Sequence, residues 1–360
     1  MSQPDCLVYD LYLSTLGGGE RVMLTIADAL AADFSVTVAA PRIPDRRRLR
    51  DIGLPCDLPF EAMAPWRFPA ASRRADLVVY LANGVPLPSF AARSLLMLQF
   101  PFEPLSRFAA LAAGSRWCID RYEILTYSQF ASDWVGRRWQ RPTTVLHPPV
   151  SAPLTTGRAK ENLILSVGRF FAVEHCKRQD VLLDAYAALP RVLRKEWRLV
   201  LAGGSNDSAG SAAYLSTLQA RAESLDVEIM VDLPQPALHA LYERASLFWH
   251  ATGFGRDAKH PERAEHFGIT AAEAMSYGAV PMVFADGGQT EVVDERCGVL
   301  WNTVDELVEG TIAVIGDDPL RHAMQGAARE KSLQFGEKRF RDTVRRMAAS
   351  GAAGDQPWLP

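Results

Sequence analysis

Short apolar runs alternate with stretches of helical periodicity along almost the whole chain, and no other feature restricts the fold so strongly. Leu7 to Leu13, Ser35 to Ala40, Leu77 to Leu81, Ser94 to Phe100, Ile124 to Ser128 and Thr144 to Leu146 read as strands in the first half. Leu163 to Val167, Arg198 to Ala202, Glu228 to Leu233, Ser246 to His250 and Val280 to Phe284 read so in the second. Helical stretches separate them: Glu20 to Ala32 with Val22, Ile26 and Leu30 on one face, Gln129 to Trp139, a segment carrying Val181, Leu182, Ala185 and Leu189, then Ala212 to Ser224 and Leu238 to Ala245. Strand and helix in alternation make a parallel sheet wound with helices on both faces. Leu163 to Val167 is apolar almost without interruption, as a strand covered on both faces must be.

A chain of 360 residues is long enough for two such domains. His147-Pro148-Pro149-Val150 marks the boundary, because consecutive prolines continue neither a ladder nor a helix. We therefore expect a first domain over 1–150, a second over 151–335, and a terminal segment over 336–360 with a charged helix at about Glu337 to Met347.

A net charge of -3 gives no reason to expect a nucleic-acid partner. Cys6, Cys56, Cys118, Cys176 and Cys297 lie far apart without a Cys-x-x-Cys pair, which favours a reducing compartment over a disulfide framework or a zinc ribbon. The segment MSQPDCLVYD lacks the basic and apolar blocks of a signal peptide, and no apolar run is long enough to span a bilayer. The expectation is a cytoplasmic protein. Arg46 to Arg74 interleaves arginines with Trp66 and Phe68, a composition suited to peripheral contact at the inner membrane face or with a lipid-linked acceptor. A solvated arginine-rich loop accounts for the same residues.

The turn Gly17-Gly18-Gly19 follows the first strand but lacks the full G-x-G-x-x-G fingerprint, and no acid follows at the ribose position of a dehydrogenase. A nicotinamide enzyme is disfavoured. Gly18 and Gly19 let backbone approach a ligand, although tight strand-to-helix packing alone can require one of them. His260, Glu262, Glu265 and His266 cluster in sequence, but Pro261 interrupts any helical face and no His-Glu-x-x-His spacing or Asp-x-Asp triplet is present, so no metal is expected.

The densest concentration of chemistry runs from His250 to Val293. Glu265 and Glu273 bracket EHFGITAAE, in which a Phe267-Gly268 turn feeds a helix. A helix N-terminus offers unpaired N–H donors and partial positive charge to a phosphate. The same letters also fit a capping box, Thr270 with Glu273. Gly168-Arg169, at the carboxyl end of Leu163 to Val167, stands where open α/β sheets bind ligands, and Lys177 precedes the next helix.

Glu265, Gly268, Glu273, Gly278 and Pro281, followed by Gly287-Gly288 and Glu291, resemble the donor-binding segment of the retaining glycosyltransferases of family 4, and the resemblance covers nearly the whole chain. It implies an α/β architecture of GT-B type, with two Rossmann-like doubly wound parallel-sheet domains facing a cleft and the terminal helix over 336–360 crossing back to the first domain. It also implies roles. Arg169 and Lys177 would hold the departing diphosphate, Glu273 the nucleotide ribose, the backbone of Phe267, Gly268 and Ile269 the donor sugar and its phosphate, and Glu265 the sugar hydroxyls. Arg169, Lys177 and Glu265 are thus the expected catalytic residues, and Gly18 and Gly19 would lie under the donor diphosphate. Many relatives carry a histidine where this chain has Gln99, so that role does not transfer; Glu103, nearby, reads as a surface carboxylate.

The implied reaction is metal-independent, retaining transfer of a hexose from a nucleoside diphosphate sugar to the hydroxyl of a carbohydrate, lipid-linked or small-molecule acceptor. GDP-mannose is the first choice of donor, because EHFGI is worded like the mannosyltransferases, with UDP-hexoses as the alternative. A nucleotide-sugar epimerase of the same architecture and a non-catalytic nucleotide-sugar-binding protein are the competing classes.

Overall fold

The apolar runs pair as parallel strands in two separate sheets. The first contains β1 (Asp5–Asp10), β2 (Ser35–Ala40), β3 (Phe60–Ala62), β4 (Leu77–Ala82), β5 (Arg93–Leu98), β6 (Glu123–Thr126) and β7 (Thr143–Val145), in the order β3-β2-β1-β4-β5-β6-β7. The second contains β8 (Glu161–Val167), β9 (Arg198–Gly203), β10 (Glu228–Val231), β11 (Ala245–His250), β12 (Val280–Phe284) and β13 (Val299–Trp301), in the order β10-β9-β8-β11-β12-β13. Counted from its own first strand, each sheet begins 3-2-1-4-5-6, the doubly wound Rossmann order. The direction of winding reverses beside the first strand, between β1 and β4 and again between β8 and β11, and the crevice at the carboxyl end of such a pair is where these sheets bind ligands.

The computed structural model describes residues 3–102, 109–151, 158–172, 176–206, 208–257 and 259–350. Glu103, His175 and the tail beyond 350 lie outside them. The chain divides into two units, Met1–Pro149 with Glu337–Pro360, and Val150–Gly336.

In the first unit β4 is buried at every position, and Tyr9, Phe68 and Tyr80 meet as an aromatic cluster with centroids 4.7 to 5.4 Å apart. The helix Gly18–Leu30 lays Val22, Ile26 and Leu30 inward. The helix Glu337–Ser350 packs beside it, burying Phe340, Val344 and Met347, and Arg345 pairs with Asp33 at 2.7 Å. In the second unit Phe170, Trp249 and Trp301 lie in one core with Leu182, Leu199 and Leu247. That unit closes on itself where the Val150 N–H donates to the Phe335 carbonyl at 2.8 Å and Val150 bridges Gly336.

Several local expectations change. The first strand stops at Asp10, because the Asp10 carboxylate accepts the Tyr12 N–H at 2.7 Å and turns the chain into the short helix Leu13–Thr15. The strand ending at Thr126 stops short of Ser128, which instead caps the helix Gln129–Trp139 by accepting the Ala131 N–H. The region 41–74 is not a plain loop: Asp45 caps a helix over Arg46–Asp51. The capping box at Thr270 is absent, since Gly268 is the N-cap of the helix Ile269–Ser276 and no side chain caps it.

Candidate active site

The carboxyl ends of β8 and β11 carry the first groups of the site. Beyond β8 the chain turns at Gly168-Arg169, and Gln179, almost fully buried, fixes that turn by donating to the Gly168 and Arg169 carbonyls at 3.1 and 3.2 Å. The turn sits tightly on β9: a Cβ at Gly203 would come within 1.9 Å of the Gly168 carbonyl oxygen. The Lys177 stem crosses Gly168, where a Cβ would lie 2.7 Å from Lys177 Cγ, so the two expected cations come from neighbouring backbone.

Their situations differ. Arg169 is exposed, lies 4.6 Å over the Phe171 ring, and has no carboxylate partner among the described residues. Lys177 reaches inward, and its ammonium stands 2.5 Å from Glu265 Oε2, with the two side chains only 20% and 14% exposed.

Glu265 is held from several sides. Gly288 N–H donates to the Glu265 carbonyl at 2.7 Å, and a Cβ at Gly287 would lie 2.2 Å from that carbonyl oxygen. A Cβ at Gly288 would lie 2.1 Å from the His266 carbonyl. The pair Gly287-Gly288 therefore lets one loop press backbone to backbone on the segment that bears the carboxylate. His250, the last residue of β11 and 1% exposed, places Nε2 at 3.3 Å from the same Oε2 that Lys177 contacts. Burial alone would raise the Glu265 carboxyl, but the Lys177 charge and the His250 hydrogen bond outweigh it and hold the group well below the usual carboxylate range.

Gly268 follows with φ 98°, a left-handed conformation that a side chain rarely adopts, and opens the helix Ile269–Ser276. Its N-terminal N–H groups have no side-chain cap. The Phe267 side chain points away, edge-on to Phe335 at 5.2 Å, so this residue offers the site its backbone only. Glu273, one turn into the helix, accepts the Tyr242 hydroxyl at 2.9 Å; Tyr242 stacks on Tyr277 at 5.7 Å. The structure thus brings Lys177 and Glu265 into contact, sets the Gly168 backbone against the Lys177 stem and Gly268 beside Glu265, and attaches Glu273 to Tyr242. His260 pairs with Glu262 at 2.8 Å and His266 bonds the Glu262 carbonyl, so these side chains do not converge with Glu265.

Gly18 and Gly19 belong to the first unit, where they begin the helix Gly18–Leu30. A Cβ at Gly19 would meet Gln99 Nε2 at 2.0 Å, so Gly19 leaves room for the amide that stands just beyond β5. Buried nearby are Asp10 and Glu20. Burial first, then the Glu20 charge, pushes Asp10 up to about 7 against the opposing Tyr12 N–H. Sequence reading missed Asp10 and Tyr242, and left His250 as either a core histidine or a contact. Asp10 and His250 carry a signal, a polar residue ending an otherwise apolar strand; Tyr242 carries none.

The family model described as Glycosyl transferases group 1 matches residues 155–331. Residues 155–331 are thus similar to the group 1 glycosyl transferases. The D-inositol 3-phosphate glycosyltransferase of Xylanimonas cellulosilytica is 33% identical to this chain over 178 residues, which is 48% of this chain and 39% of the relative. The GDP-Man:Man(3)GlcNAc(2)-PP-Dol alpha-1,2-mannosyltransferase of Dictyostelium discoideum is 27% identical over 190 residues, 50% of this chain and 35% of the relative. The chain spans less than half the length of either curated relative. The solved structure of Anabaena HepE in complex with UDP and glucose aligns with a TM-score of 0.74 at 17% identity, covering 97% of this chain and 100% of that one. This likeness extends beyond residues 155–331 to both sheets, and the fold is of GT-B type. Arg169, Lys177, Glu265, Gly268 and Glu273 all fall within the matched residues 155–331.

Proposed function

We propose that the chain is a retaining glycosyltransferase that moves a hexose from a nucleoside diphosphate sugar to an acceptor hydroxyl without a metal. The observation that carries this reading is the arrangement at the carboxyl ends of β8 and β11: an exposed Arg169 without a carboxylate partner among the described residues, a Lys177 drawn against Glu265, and an uncapped helix N-terminus at Gly268. Breaking the bond between the anomeric carbon and phosphate oxygen leaves charge on the diphosphate, and fixed cations with N–H donors stabilise it where it develops. The acceptor oxygen forms its bond to the anomeric carbon on the face the diphosphate leaves, and the acceptor proton passes to the departing phosphate oxygen. Glu265 receives the sugar hydroxyls and Glu273 the ribose.

Mannose carried by GDP is the donor we favour, supported by the wording of EHFGI and by the mannosyltransferase from Dictyostelium discoideum. A UDP-hexose is the second reading, supported by the UDP and glucose bound to HepE. The acceptor is a carbohydrate, a lipid-linked acceptor or a small molecule. For a lipid-linked acceptor, Arg46 to Arg74 would meet the inner face of a membrane, with Trp66 80% exposed within that segment. Among the described residues no helix is long and apolar enough to cross a bilayer.

Calorimetric titration with GDP and UDP, followed by turnover of GDP-mannose and UDP-glucose in the presence of EDTA, tests the proposal. Release of nucleotide with retained anomeric configuration supports it. Absence of binding to either nucleotide sinks it.

A further inference from the structure

His250 is packed as a core residue: its side chain is 2% exposed and its ring lies 6.3 Å from that of Phe248. Two facts set it apart from a histidine that merely fills space. Its Nε2 reaches Glu265 Oε2 at 3.3 Å and Thr252 Oγ1 at 3.2 Å, while Nδ1 is buried and has no partner among the described residues. An orphaned buried N–H is rarer and costs more than an under-used acceptor, so Nδ1 carries the lone pair and Nε2 the proton. Nε2–H is then aimed at the carboxylate.

Glu265 Oε2 thus accepts from two donors, Lys177 at 2.5 Å and His250 at 3.3 Å. On the proposed function Lys177 serves the leaving diphosphate, and a lysine that turns to phosphate gives up its carboxylate. A buried carboxylate stripped of its charged partner is strongly destabilised unless another donor remains on it. His250 sits on a rigid strand between β8 and β12 and cannot follow the ligand. We propose that His250 is a positioning residue, whose Nε2–H holds the Glu265 carboxylate in place when Lys177 transfers its contact to the departing diphosphate.

The inference rests on the proposed function, and two measurements separate their failures. The first needs no turnover: long-range proton–nitrogen correlation spectra of histidine-labelled protein, with His250 assigned through the His250→Gln variant. A protonated Nε2 and an unprotonated Nδ1, both shifting on addition of GDP or UDP, are expected. A protonated Nδ1 in the neutral ring overturns the proposal.

The second compares His250→Leu with His250→Gln, whose amide reproduces a donor near the Nε2 position. Leucine is expected to lower kcat by about 10- to 100-fold with donor KM within about twofold, and glutamine to recover most of the loss. Equal impairment of both variants, or an unchanged kcat in the leucine variant, overturns the proposal. Wild-type protein that binds no nucleotide overturns the proposed function instead.

Discussion

The Lys177 ammonium and the Glu265 carboxylate form a short ion pair, 2.5 Å apart and largely out of solvent, at the switch point of the second sheet. Removing one partner of such a pair leaves a charge without compensation. Lys177→Met should therefore cost about 3–5 kcal/mol in urea unfolding, and a further Glu265→Leu change should restore most of it. Simple additivity of the two substitutions would falsify the coupling.

Arg169 is exposed and rests on the Phe171 ring, so its removal should leave the fold intact. Arg169→Ala is expected to change stability by no more than about 0.5 kcal/mol while weakening nucleoside diphosphate binding by about 10-fold or more, the loss expected of a charge-assisted contact. Transfer at the wild-type rate in that variant would remove Arg169 from the mechanism.

Asp10 predicts a pH dependence. Its carboxyl rises from 3.8 to about 7 on folding. Between those values the folded chain keeps a proton that the unfolded chain has lost, so stability falls as pH rises through the window and levels off above it. The full span amounts to about 4 kcal/mol at most. Asp10→Asn removes the titration, and its melting temperature relative to wild type should climb from pH 4 to pH 7. A parallel pair of curves would show that Asp10 ionises freely.

Two glycines should respond in opposite directions. Gly287→Ala forces a side chain at φ 74° to within 2.2 Å of the Glu265 carbonyl, and should both destabilise the protein and impair nucleotide binding. Gly326, inside the helix Asp318–Ser332, has no neighbouring atom within 4 Å of the place a methyl group would take, and Gly326→Ala should stabilise by about 0.5–1 kcal/mol. Thermal melts of both variants read the contrast directly.

The terminal helix tests burial against surface charge. Val344 is 6% exposed, whereas Arg345 and Asp33 are nearly half exposed. Val344→Asp should cost several kcal/mol, since it buries an unpaired charge, whereas Arg345→Ala should change stability little, because solvent screens its pair. Equal effects would mean that the helix is held by its ion pairs.

What could be read from the sequence follows from how local each signal is. Ser35–Ala40, Gln129–Trp139 and Val280–Phe284 were legible to the residue, because apolar period and bounding residues agree there. Arg46–Asp51 was not, since a helix with Leu49 as its one buried residue shows no stripe. The edge strand Phe60–Ala62 is equally mute, being exposed along most of its length. In the site, Gly287-Gly288 stood out by spacing, but their reason lies in a contact with the Glu265 backbone. His250 was ambiguous because its partners, Lys177 and Glu265, come from other segments of the chain. A strand-end histidine announces only that something polar is near.

Because Glu337–Ser350 covers the helix Gly18–Leu30, the first unit lacks a wall until residues 337–350 have left the ribosome. The Val150–Gly336 unit, with its own ends joined, needs nothing translated later. The half encoded second can therefore finish folding ahead of the half encoded first, and the apolar face of Gly18–Leu30 is the surface a chaperone would have to shield in the interval.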